Sequence, residues 1–137
     1  MITKEITIIG INEQKEPVEK TVTLGYCYAT EIGFKEMAGT ELPAFIQKVI
    51  EGFNATPKIE PDKKTAIMAV VSSALSYYEF KGEECPLSDS DFMFSDDPEQ
   101  LGTALGHIIV MYAQFYKITG MVEEKKHEKT TRNRKNA

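Results

Sequence analysis

Two runs rich in β-branched residues, ITKEITIIGI from Ile2 and KTVTLGY from Lys20, stand at the front of the chain, and the apolar spacing lengthens once Gly25 is passed. Near-alternating spacing suits a strand, whereas a period close to 3.6 suits a helix with one buried face. Between the runs, INEQKEPVE carries the Asn, Pro and charges of a loop. The switch of period therefore constrains the fold more than any other feature. It predicts a β-hairpin in residues 1–25, with strands near 2–10 and 18–25, followed by helices within 26–120. The fold class expected is α+β, mainly α: an N-terminal hairpin and a small bundle of about four helices.

Punctuation divides the helical part. A helix from about Cys27 to Ala38 places Gly39 just past its end, where a left-handed turn costs glycine nothing. Thr40 is placed to cap the next helix, ELPAFIQKVIEG, which tolerates Pro43 in its first turn and is expected to stop at Gly52. After the linker FNATPKIEP, Asp62 or Pro61 opens a long helix that runs to about Lys81 and stops at Gly82. On a helical wheel Ile67, Val70, Val71, Ala74, Leu75, Tyr77 and Tyr78 form its buried side, and Ser72, Ser73, Ser76 and Glu79 its solvent side. GEECPLSDSDFMFSDD reads as a loop with one short helical turn capped by Ser88. Asp97 and Pro98 then start a last helix, expected to reach about Thr119, with Leu101, Leu105, Ile108, Tyr112, Phe115 and Tyr116 on its buried side.

At 137 residues and 42% apolar content the chain supports one ordinary core, so residues 1–120 are expected to form a single compact domain. Residues 121–137 hold six Lys/Arg against three Asp/Glu, which leaves ten against eighteen for the rest. This charged tail lacks apolar anchors and is expected to be disordered. An acidic body repels phosphate backbones, which argues against nucleic-acid binding. The first apolar run is too short for a signal peptide and IIVMYA at 108–113 is far short of a membrane span, so a soluble cytoplasmic protein without membrane association is expected. Cys27 and Cys85 fit two reduced thiols better than a disulfide framework.

Residues that carry chemistry are sparse. Cys27, between two tyrosines, falls on the wheel with Phe34 and Ala38 and has neither histidine near it in sequence, which favours a small core hydrophobe over a nucleophile. His107 lies on the polar side of the last helix beside Thr103 and Gln114, and His127 is in the tail; neither has zinc-site spacing with the cysteines. With Asp89 as the first position of a calcium loop, Met93 and Phe94 occupy the places that need an oxygen ligand and a glycine. No phosphate loop or nucleophile elbow is present. No catalytic residue, metal or cofactor is expected; a small enzyme using Cys27 is the weakest of the competing readings.

Features suited to a partner are more numerous. Glu31 and Lys35 sit between two apolar groups, Cys27/Phe34/Ala38 and Tyr28/Ile32, in the i,i+4 order that favours an ion pair. Gly102, Gly106 and Ala113 put three small side chains on one strip of the last helix, and helical glycine costs up to about 1 kcal/mol relative to Ala. Another helix is expected to approach there, internal by preference or else a partner's. Phe80 and Val110 fall on the polar sides of their helices.

The order of these elements resembles the tail assembly chaperones of long-tailed bacteriophages over about residues 18–119. The likeness lies in a strand leading into a short helix with an acidic residue, its close at Glu36-Met37-Ala38-Gly39, and a later helix leading to the Ser-plus-acidic turn Leu87-Ser88-Asp89-Ser90-Asp91. The tryptophan often found near the end of the family's long helix is replaced here by Tyr77 and Tyr78. The resemblance implies a non-catalytic phage or prophage protein of the bacterial host cytoplasm. It also implies that the protein binds the helical tape measure protein and helps recruit the tail tube protein. The competing class is an adaptor or regulatory subunit of a bacterial complex, and a homo-oligomer is left open by the sequence.

Overall fold

The structure, a computed structural model, describes residues 1–118; the charged tail expected over 121–137 lies outside them. Strands β1 (Ile2–Ile11) and β2 (Pro17–Tyr26) form an antiparallel hairpin in which Ile6 faces Val22 and Gly10 faces Val18. Five helices follow: α1 (Tyr28–Ala38), α2 (Leu42–Asn54), α3 (Lys63–Lys81), the short α4 (Ser90–Met93) and α5 (Gln100–Phe115). This is the α+β, mainly helical architecture expected. None of the described helices is long and apolar enough to cross a membrane.

The hairpin loop is organised by Asn12, whose side-chain oxygen accepts from the backbone N–H of Gln14 and of Glu16, both at 2.9 Å. Alternation then sorts the strands into two faces. Ile8, Val22, Leu24 and Tyr26 are buried, while Thr3, Glu5, Thr7 and Ile9 face solvent. Helix α3 packs on β2 and on α1, and α5 packs on α3 and both strands, so one core fills the space between hairpin and helices.

Helix α3 departs from its expected two-sided character. Ser72, Ser73 and Ser76 are buried, whereas Leu75 is exposed. The outer edge of β2, whose backbone groups need partners, accounts for Ser73 and, through Thr30, for Ser76; Ser72 Oγ is buried without a hydrogen-bond partner among the described residues. Gly25 O accepts from Ser73 Oγ at 2.8 Å and from Thr30 Oγ1 at 3.0 Å, and Thr23 N donates to the Tyr78 hydroxyl at 3.0 Å. Ser76 Oγ lies 2.6 Å from Thr30 Oγ1, which completes a buried hydroxyl network between α1, α3 and β2.

Several boundaries also differ. Glu41 rather than Thr40 precedes α2, without a side-chain cap. The helix runs on past Gly52 because that glycine makes room for the returning chain: Ile59 N donates to Gly52 O at 3.0 Å, and a β-carbon there would collide with the Ile59 carbonyl. The turn at α4 is not capped by the Ser88 side chain. Instead Asp91 accepts from Ser88 N at 2.9 Å. Asp97 Oδ1 accepts from Glu99 N at 2.9 Å, so Asp97 and Pro98 shape a turn and α5 starts at Gln100. Its end comes at Phe115, short of Thr119, where Lys117 turns with φ 56° and Ile118 N bonds back to Ala113 O at 2.8 Å. Tyr116, expected on the buried side of α5, is 40% exposed.

Asp91 fastens the loop between α3 and α5 to the hairpin. Its carboxylate is fully buried and accepts from Ile11 N at 2.9 Å, and Lys20 Nζ lies 3.0 and 3.1 Å from its two oxygens. Lys20 also donates to Pro86 O at 2.9 Å. Gly10 lets the carboxylate this close, since a β-carbon would run into it. Removing one member of a buried, hydrogen-bonded ion pair costs about 3–5 kcal/mol. Asp91→Ala is therefore expected to destabilise by that amount, and Gly10→Ala by about 1–3 kcal/mol through crowding, both read from urea unfolding midpoints.

Candidate partner-binding surface

Glu31 lies in the first turn of α1, where the free peptide N–H groups of a helix start favour a negative charge. Its Oε2 accepts from the Tyr26 hydroxyl at 2.8 Å and from the Tyr116 hydroxyl at 2.6 Å. One carboxylate thus joins the end of β2, the start of α1 and the residue that follows α5. Around it the Tyr26 ring packs against Phe115 with centroids 5.3 Å apart and against Tyr112 at 6.1 Å, while Tyr28 meets Phe115 edge-on at 5.3 Å. The outer side is open: Tyr28 is 65% and Ile32 60% exposed, one turn apart on α1. The result is an acid rimmed by apolar and aromatic surface.

Both phenols hold their protons more firmly than an isolated tyrosine. Burial is the main cause for Tyr26, with the bond to Glu31 second; for Tyr116 the bond to Glu31 comes first. The expected pair between Glu31 and Lys35 does not form. Glu31 turns to the tyrosines, and Lys35 reaches past the end of α1 to Glu41 at 2.6 Å. Both members of that pair are exposed, so it adds little to stability.

The small-residue strip is brought together only in part. Gly102 is exposed and Gly106 half-buried, and a β-carbon at either meets no atom within 4 Å among the described residues. The internal helix expected against them is absent from those residues. Ala113 is buried, its carbonyl accepting from Ile118 N, and the open line instead continues to exposed Val110. Phe80, in the last turn of α3, is 73% exposed and takes part in none of the aromatic pairs around Glu31.

Cys27 is half-buried and precedes α1 instead of lying on its core face with Phe34. Its Sγ lies 3.8 Å from the Thr30 hydroxyl. Burial pushes the Cys85 thiol up, away from thiolate chemistry. His107 is half-buried and its proton affinity is lowered by burial and by Lys4. Among the described residues no three His, Cys, Asp or Glu side chains gather as a metal site.

Tyr26 and Tyr116 are the residues that sequence reasoning missed. They stand five positions before and 85 after Glu31, outside any helical spacing. No protein-family model matches the chain, and neither a curated protein nor a solved structure does.

Two outcomes test this geometry. A phenol with raised proton affinity in the folded state contributes stability that is complete below its ordinary value of 10.0 and is lost as pH rises beyond it. Urea midpoints are expected to fall between about pH 9 and about pH 11, and less steeply in Tyr26→Phe. Gly106→Ala, with open space for the methyl group, is expected to stabilise the protein by up to about 1 kcal/mol in the same assay.

Proposed function

We propose that the protein is a non-catalytic chaperone of helical segments. Its client is the tape measure protein of a long-tailed phage or prophage, kept soluble in the host cytoplasm while tail tube subunits are recruited. The observation that carries this reading is the exposed pair Tyr28 and Ile32 beside the Glu31 carboxylate. A client helix presents apolar side chains every three to four residues, and two anchors one turn apart match that spacing. Glu31 adds register: fixed by two phenols, it offers a basic client residue a negative charge that needs no reordering. The resemblance of residues 18–119 to tail assembly chaperones supports the identity of the client.

Anchors at the centre of such an interface carry most of the affinity. Binding of helical tape measure fragments encoded beside this gene, measured by calorimetry, is expected to weaken by at least about tenfold in Ile32→Asp, with an unchanged melting temperature. Glu31→Gln is expected to weaken it less. Gly106→Leu separates two surfaces: loss of capture extends the interface onto α5, and unchanged capture confines it to α1. If folded wild-type protein binds no such fragment, the chaperone reading fails and an adaptor subunit takes its place.

A further inference from the structure

In an antiparallel ladder every second residue turns its N–H and C=O away from the partner strand. Ile9 and Ile11 are such residues in β1: Ile9 N donates to Gln100 Oε1 at 2.6 Å, Gln100 Nε2 donates to Ile9 O at 3.1 Å, and Ile11 N donates to Asp91. Thr3, Glu5 and Thr7 share their parity, so their backbone groups also point outward. No hydrogen bond among the described residues reaches those groups.

Beside them runs a groove of about 500 Å³ between β1 from Lys4 to Ile8 and the first turns of α5 from Gln100 to His107, with Asp97 and Glu99 at its rim. Five consecutive strand residues line it, whichever face their side chains take, so it follows the edge of the strand. At its end the Gln100 carboxamide does for Ile9 what the peptide group of a third strand would do.

We propose that this groove takes an extended peptide segment of a partner protein as a third strand, paired to Thr3, Glu5 and Thr7 and carrying a basic residue toward Glu5, Asp97 and Glu99. Two independent observations support it. Outward backbone groups repeat every two residues, about 6.7 Å, and an extended polypeptide presents donors and acceptors at that repeat. The walls hold three carboxylates against Lys4, with His107 disposed to stay neutral by burial and by that lysine, so positive charge is complementary. A second copy suits the groove less well, because two-fold pairing of β1 with itself sets acid against acid. The proposal does not depend on helix capture by α1, whose anchors lie by the opposite end of α5.

The test titrates isotope-labelled full-length protein with a capped decapeptide of alternating valine and lysine, and with its valine–glutamate counterpart. The lysine peptide is expected to slow amide exchange at Thr3, Glu5 and Thr7 and to bind at least about tenfold more tightly than the glutamate peptide. Thr7→Pro removes one outward N–H and leaves the ladder to β2 intact, so it is expected to weaken binding by about tenfold with the hairpin signals preserved. Glu99→Lys is expected to do the same through charge alone. Equal binding of the two peptides, or indifference to both variants, would overturn the proposal. So would protection of the three amides in the free protein, whether by the chain's own basic tail or by a dimer seen in sedimentation. Tape measure capture is measured in parallel, and its failure leaves these outcomes unchanged.

Discussion

A buried carboxylate must collect donors or give up its charge, and two of the donors to Asp91, Ile11 N and Lys20 Nζ, lie on the hairpin 80 and 71 residues earlier. Satisfying it draws Ile11, Ser88 and Lys20 to one point, and that convergence positions α4. From there the chain has only a short turn before α5, so Gln100 falls beside Ile9 and the helix is laid along β1. The far end of α5 then delivers Tyr116 to Glu31. Gly10 belongs to the same device, as the one place where the strand must lack a side chain.

What was legible in the sequence was whatever is encoded within a few residues. Gly39 and Gly82 end their helices in the left-handed region, and Asp62 accepts from Thr65 N at the start of α3. The strands were legible for the same reason, since their period is local. Ser73 and Ser76 were misread because a helical period equates polar with solvated, whereas the edge of β2, three elements earlier in the chain, and the Thr30 hydroxyl take up their side chains. Gly52 looked like a terminator and is a clearance for Ile59. Asp91 looked like one acid among many in a loop. Nothing in DSDFMFSDD says which of its acids is buried.

The candidate surface divides in the same way. Glu31, with Tyr28 and Ile32 beside it, was legible from helical spacing, and Phe80 and Val110 were legible as exposed. Its phenolic partners and the loss of Lys35 to Glu41 were not, because they depend on how β2 and α5 end in space. The open edge of β1 was equally hidden: a strand pattern says that residues alternate, but only the positions of Gln100 and Asp91 reveal which backbone groups are already engaged.

The ring cluster around Glu31 has an optical consequence. The chain contains six tyrosines and no tryptophan, and Tyr26, Tyr28, Tyr112 and Tyr116 all stand in or next to this cluster. Four of the six tyrosine chromophores therefore stand at one end of the molecule, and the hydroxyls of two of them, Tyr26 and Tyr116, donate to a single carboxylate. The protein carries its own reporter for that surface, and a tyrosine-free ligand that settles there can be followed without any attached label.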